Sequence, residues 1–221
     1  MNRSISMMIG KGSVNHNSRK FHAENTDPER SHLNRVYIDE PIKDVYNKLF
    51  EEATKRYNDK QTRNDRRIND YYEKIRTGKQ EKLFKEVIFQ IGNKDDTGVS
   101  STDAEKAIDV LDEYAKTFQE RNPNLYMFSA HLHLDEATPH LHIDFVPFTT
   151  GSTRGLETRV SLKGALAAQG IIGDRRQETE WSKWVLAEKE WMSKVMERHG
   201  ITWEKLGTND EHLSVLNYKK E

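Results

Sequence analysis

Four of the nine histidines lie in one stretch, HLHLDEATPHLHIDFVPF, residues 131–148. Side chains alternate faces along a β-strand, so residues two apart share a face. His140, His142 and Asp144 therefore point one way, and His131 and His133 share a face on the preceding run. Leu132, Leu134, Leu141, Ile143 and Phe145 fill the opposite faces as core positions. Folding the two runs into a hairpin through Asp135–Pro139 sets His133 across from His140 and His142, within cross-strand reach. Pro139 falls at the start of the returning strand, where a missing N–H costs least. Three converging imidazoles make an incomplete metal shell with room for a substrate, and histidine donors alone favour Zn, Fe or Mn over Mg. Such an ion could polarise a carbonyl, activate water or withdraw charge from a phosphate. The bland alternative is a pair of histidines on a solvated strand face. A zinc hydrolase is conceivable, although H-E-x-x-H is absent.

These strands need a frame. Residues 3–10 read as a short apolar strand ending in glycine, and 11–32 as a polar irregular loop too long to be idle in a compact domain. Residues 33–39 alternate as a strand, and 83–92 form a second clear one. Residues 42–75 are highly charged with apolar stripes at helical spacing. A helix is expected over 102–121, opened by a capping box of Ser101 or Thr102 with Glu105. Strands at 125–135 and 140–148 follow, then helices at 161–169 and 175–199 and a short polar tail. Strands separated sometimes by helices and sometimes by turns favour an α+β fold with a mainly antiparallel sheet. The whole chain, 1–221, reads as one domain, with 41–82 a charged helical segment and 175–221 a C-terminal helix and tail.

Composition narrows the classes. The 221 residues are 34% hydrophobic and 32% charged, enough for one core with helical appendages. No cysteine occurs, which removes disulfides and thiolate metal sites and suits a reducing cytosol. No apolar run approaches the roughly 18–20 residues of a membrane span. The net charge of −1 means that any nucleic-acid role must rest on a local basic patch. No glycine loop has a nucleotide-binding spacing.

The segment HLDEATPHLH (133–142) resembles the metal motif of the Mob/Pre plasmid mobilisation and recombination relaxases, a branch of the HUH endonucleases. HNSR (16–19) resembles that family's His-Asn-x-Arg element, DPERSHLN (27–34) the segment after it, and HLSVLNYK (212–219) a more weakly matching terminal stretch. The resemblance implies an HUH-type five-stranded antiparallel sheet with flanking helices. It implies nicking of one DNA strand at an origin of transfer, with the enzyme left on the 5′ phosphate. By the same resemblance His133, His140 and His142 hold a divalent ion, Mn2+ or Mg2+, with Zn2+ or another transition metal able to take the same donors. His16 is then the nucleophile and Arg19 a phosphate contact, so the link is a phosphoramidate. Glu136 either orients or deprotonates His16 or completes the metal's surroundings. Asp135 is equally readable as a turn residue bonding its own backbone. The implied setting is the bacterial cytoplasm, with single-stranded or hairpin origin DNA, accessory relaxosome proteins and a coupling protein as partners.

DNA contacts are sought among basic side chains. Residues 55–82 hold ten Lys/Arg against five Asp/Glu, including Arg66 and Arg67, which either track a phosphate backbone or form a solvated face. Arg30, His32, Lys219 and Lys220 are further candidates. Two rival readings remain: a tyrosine-nucleophile HUH replication initiator or transposase, and a metal-containing DNA-binding regulator that does not cleave. For the first, Tyr37 and the pair Tyr71 and Tyr72 are the candidates, although the pair reads more simply as packing.

Overall fold

The structure is a computed structural model and describes residues 1–21, 23–175 and 178–206. In chain order the elements are β1 (Asn2–Arg3), β2 (Ile5–Ile9), α1 (Val14–Asn17), β3 (Arg35–Asp39), α2 (Ile42–Asp59), α3 (Tyr71–Thr77) and β4 (Lys85–Ile91). There follow α4 (Ala104–Arg121), β5 (Leu125–His133), β6 (His140–Thr149), β7 (Arg159–Val160), α5 (Leu162–Ala168), α6 (Glu180–Arg198) and β8 (Thr202–Trp203).

The main sheet runs β2-β4-β6-β5-β3, every neighbour antiparallel, and β7 adds a short antiparallel pair beside the end of β6. The five-strand path agrees with the expected architecture; β7 is a sixth strand that the sequence left unread. The parallel pair of β1 with β8 joins the chain's start to the residues after α6. The central hairpin β5–β6 has its longest registers at the sheet's middle, where both neighbours satisfy its backbone. Phe128 is the extra residue of a bulge between Met127 and Ser129, which re-aims the side chains beyond it.

Alternation divides the two faces. Val87, Phe89 and Ile91 of β4, Leu132 of β5, and Leu141, Ile143 and Phe145 of β6 pack against Ala107, Val110, Leu111, Tyr114 and Phe118 of α4 and Trp184, Met192, Val195 and Met196 of α6. The opposite face carries the histidines at one end. At its other end Phe128 and Val146 are covered by Val45, Tyr46 and Phe50 of α2, with Tyr71 and Tyr72 of α3 packed alongside. Helices α2 and α3 thus cover one half of the polar face, and α1 lies over the histidine half, where His133 and His142 are buried.

Two local expectations are corrected. The stretch expected to be helical over 42–75 is two helices, because the Asn58 side chain brackets Ile68, accepting from its N–H and donating to its carbonyl at 2.8 Å each. That clamp turns the chain after α2, and Asp70 then caps α3 by accepting from Glu73 N at 3.0 Å. The capping box at Ser101–Glu105 does not form. Asp103 is the N-cap, and its carboxylate takes Arg3 at 2.6 Å rather than the helix's own N–H groups. In α6, Trp181 packs against Trp184 with ring centroids 4.9 Å apart, and Trp184 is buried.

Candidate active site

Four imidazoles converge on the half of this face that α1 covers. His133 and His140 face each other in register, as do His131 and His142. Ring centroids are 4.6 Å apart for His133 and His142, 5.0 Å for His140 and His142, and 5.2 Å for His133 and His140. The fourth ring, His16, comes from α1, 5.9 Å from His133 and 6.0 Å from His142. His131 is buried but stands one pleat back, 6.3 Å from His133.

The tautomers follow from the partners. Nε2 of His133 lies 2.8 Å from the Asn17 carbonyl, and Nδ1 of His140 lies 2.8 Å from the Thr138 carbonyl. Carbonyls only accept, so these ring nitrogens carry the protons. Nδ1 of His142 donates in the same way to Glu86 Oε1 at 2.7 Å. Each ring is left with its other nitrogen as a lone pair: Nδ1 of His133, Nε2 of His140 and Nε2 of His142. The first two lie 3.4 Å apart, and the third is buried with no hydrogen-bond partner. Burial, and the neighbouring imidazoles, hold His133 and His142 far below the usual imidazole value, so both stay neutral. Neutral rings whose far N–H is pinned by a carbonyl or carboxylate are what a metal ion requires. The orphaned Nε2 of His142 is the buried atom such an ion would satisfy.

Glu136 sits in the turn between the two strands and joins this set. Its Oε1 is 3.7 Å from His140 Nε2, 4.0 Å from His133 Nδ1 and 3.6 Å from His16 Nε2. Two overlapping groups could therefore hold an ion, His133–Glu136–His140 and His16–His133–His142, each with donor atoms within 4.8 Å of one another.

Arg19 organises the entrance. Its backbone is in the left-handed region, φ 53°, the one non-glycine residue so placed among the described residues. Such a conformation costs of order 1–3 kcal/mol and persists only where surroundings enforce it. Here the enforcing contacts are Nε to Asp135 at 2.9 Å, NH2 to Asp135 at 2.5 Å and NH2 to Glu136 at 2.8 Å. The remaining NH1 points to His16 Nε2 at 3.2 Å. Burial would lower the Arg19 pKa, but the Asp135 and Glu136 contacts outweigh it and keep the guanidinium charged. Burial and the Arg19 charge lower His16, against the pull of Glu136, which favours the neutral nucleophilic ring.

Asp135 is a framework acid. It is buried and also accepts from Ser31 Oγ and Asn34 Nδ2, at 2.8 Å each, so it gathers the 27–34 segment onto the hairpin. Burial alone would raise its pKa; the hydrogen bonds from Arg19, Ser31 and Asn34 reverse that and push it well below the usual carboxylate value. Its backbone carbonyl accepts from Asp27 N at 2.7 Å.

Sequence reasoning missed Glu86. It is buried on β4, opposite Asp144, and accepts from His142, from Asn17 Nδ2 at 2.7 Å and from Gly12 N at 2.6 Å. It thus joins a histidine of the sheet to the segment that carries His16. Gly12 has φ 75° and packs against the Phe84 ring, which is why glycine stands there. The available signal was a lone acid in FKEVIFQIG, on the polar side of an otherwise apolar strand. Asn17 also donates to Asp144 at 3.0 Å; burial, with Glu86 beside it, pushes Asp144 up to about 7.

The other candidates are scattered. Arg30 donates to the Leu134 carbonyl at 3.0 Å and braces the hairpin. His32 is exposed and hydrogen bonds through Nδ1 to the Glu29 carbonyl at 2.8 Å. Arg66 and Arg67 are exposed in the turn between α2 and α3. Lys219 and Lys220 lie outside the described residues. The tyrosines of the rival reading are engaged elsewhere: Tyr37 donates to Asp112 at 2.8 Å, Tyr71 takes the Val160 N–H at 3.1 Å, and Tyr71 and Tyr72 both pack against the Tyr46 ring, Tyr72 edge-on.

A sheet with a histidine hairpin at its centre and an N-terminal histidine folded over it defines an α+β fold whose side chains could hold a metal ion. Residues 13–220 match the Mob_Pre family, described as plasmid recombination enzyme, and the chain belongs to that family. Among solved structures, it is similar to the MobM relaxase domain bound to a 22-nucleotide pMV158 origin DNA with Mn. The likeness has 22% identity and a TM-score of 0.55, over 100% of this chain and 99% of that one. A second MobM complex, with a 22-nucleotide strand bearing a 3′ thiophosphate, gives 24% identity and a TM-score of 0.53, over 100% and 98%. These likenesses establish a shared fold. A comparison with curated proteins finds no match. No helix among the described residues is long and apolar enough to cross a membrane.

Proposed function

We propose that this chain is a metal-dependent relaxase that nicks and rejoins one DNA strand at an origin of transfer through a covalent link to His16. The observation that carries this reading is the position of His16, from a different element, over the imidazoles of His133, His140 and His142 and Glu136. Membership of the plasmid recombination family and the Mn-bound, origin-bound MobM complexes support it. His133, His140 and His142, with Glu136, would hold a divalent cation, Mn2+ or Mg2+. When bound, that ion supplies charge to draw electron density from the non-bridging oxygens of a phosphodiester.

The protein's own residues do the rest. Arg19 turns NH1 from His16 to a phosphate oxygen, which frees the Nε2 lone pair. Nε2 attacks the phosphorus in line; a P–N bond forms, the bond to the 3′ oxygen breaks, and that oxygen leaves with a proton from solvent. The proton on the attached imidazole's other nitrogen is lost as the adduct settles to a phosphoramidate. Because the P–N bond keeps much of the phosphodiester's energy, a 3′ hydroxyl can reverse the step and reseal the strand. Glu86 and Asn17 hold the His16 segment against His142 and His133 while this happens. Arg30, His32, Arg66, Arg67, Lys219 and Lys220 are proposed to contact DNA outside the reacting phosphate. The chain acts as one domain in the bacterial cytoplasm, alongside accessory relaxosome proteins and a coupling protein.

The test is incubation with single-stranded origin DNA and Mn2+, comparing the wild type with His16→Ala. An acid-labile, alkali-stable protein–DNA adduct that disappears in the variant is expected. An acid-stable adduct that survives in His16→Ala would falsify the histidine chemistry and point to a tyrosine. Stable origin binding with no adduct at all would favour the non-cleaving regulator.

A further inference from the structure

A cleft of about 330 Å3 opens beside the site, between the loop after β2, the end of α3 and the start of β4. Glu86 and Gly12 are part of its lining, the same pair that joins His142 to the segment carrying His16. Four cations line it: Lys11, Arg76, Lys82 and Lys85. Arg76 is held by Glu73 at 2.7 Å, but Lys11, Lys82 and Lys85 have no ion pair among the described residues. Of the two acids, Glu86 is already saturated by its three donors. Glu81 is pushed up from the usual carboxylate value by burial. Burial, and Lys82 beside it, hold Lys85 below the usual amine value against the opposing pull of Glu81. Phe84, Ile75 and Leu83 supply an apolar wall.

Lysines held in no ion pair beside an apolar wall suit a chain of phosphates with bases alongside. We propose that this cleft carries one arm of the single-stranded substrate as it leaves the reacting phosphate, with Lys11, Lys82 and Lys85 as backbone contacts. The proposal rests on the relaxase reading for what the site beyond Glu86 does.

Salt-dependent binding tests it. Each phosphate contact on a single strand contributes roughly 0.7 to the slope of log K against log salt. A Lys11→Gln/Lys82→Gln/Lys85→Gln variant should therefore lower the slope by about 2 on an origin single strand. Thermal unfolding and Mn2+ affinity should match the wild type. Trimming the strand stepwise from one end should abolish the difference, and trimming from the other end should leave it. An unchanged slope overturns the proposal. So does an equal loss on strands trimmed at either end, or on a fully duplexed probe, because that describes a diffuse basic surface. An oligo(dT) strand run in parallel separates this from the function itself. If the wild type forms no adduct on origin DNA yet the oligo(dT) slope still falls by about 2, the cleft stands as a strand-binding site and the relaxase reading fails.

Discussion

Arg19 and Asp135 form a two-pronged pair, Nε and NH2 of the guanidinium on the two carboxylate oxygens at 2.9 and 2.5 Å. One contact thereby fixes the segment carrying His16 to the turn carrying Glu136. The pair is nearly dry, with the Arg19 side chain 10% exposed and the Asp135 side chain fully buried. Removing one member of a buried pair typically costs about 3–5 kcal/mol. Glu136 still neutralises Arg19, so Asp135→Ala should sit near the low end, about 3 kcal/mol, read as a drop in urea-unfolding stability without metal. Asp135→Asn keeps an acceptor for Ser31 and Asn34 and should lose less. A loss within roughly 0.5 kcal/mol for Asp135→Ala, the level of an ordinary surface change, would show that the pair anchors nothing.

Glu86 offers a cleaner test of the metal site because its carboxylate is taken up by His142, Asn17 and Gly12 and supplies none of the donor atoms that could hold the ion. Losing an orienting partner of a metal-bound histidine usually weakens metal affinity by 10–100-fold. Glu86→Gln should weaken Mn2+ binding within that range, measured by titration followed by electron paramagnetic resonance. Asn17→Ala leaves the backbone carbonyl that receives His133 and should weaken Mn2+ binding far less, while reducing adduct formation. Equal Mn2+ affinity in Glu86→Gln and the wild type would remove His142 from the ligand set.

Acid stability provides a check on the frame away from the site. Asp112 of α4 accepts from Tyr37, from Arg35 at 2.9 Å and from Lys116, with Asp109 also facing Arg35. Burial would raise its pKa, but these hydrogen bonds lower it below the ordinary value. A carboxylate with a depressed folded pKa adds stability that is present above its unfolded pKa, roughly 4, and lost as pH falls through the folded value. Unfolding free energy of the wild type should therefore fall more steeply below roughly pH 5 than that of Asp112→Asn, with the two curves parallel near neutrality. Parallel curves throughout would mean that Asp112 is equally solvated in the unfolded chain.

Much of the site was legible because strand alternation is a local rule. His140 and His142 had to share a face once 140–148 was a strand, and Leu141, Ile143 and Phe145 had to face the other way. The turn at Asp135–Pro139 followed from residue types, and with it the approach of His133. Helix ends were less legible. Asn58 ends α2 by reaching to Ile68, and Asp103 caps α4 while holding Arg3. Both depend on partners that no local window contains.

The amino-acid order by itself determined the histidine hairpin, the apolar faces of β4, β5 and β6, and the resemblance that singled out His16, Arg19 and Glu136. Each rests on periodicity or a short motif. Tertiary structure alone decided that His16 stands about 6 Å from His133 and His142, that Asp135 is an anchor for Arg19, and that Glu86 joins sheet to N-terminal loop. The longest of those contacts, His16 with His142, spans 126 residues of chain (142 − 16). They exist because burying polar groups requires a partner for each, and only the assembled sheet brings those partners within hydrogen-bond distance.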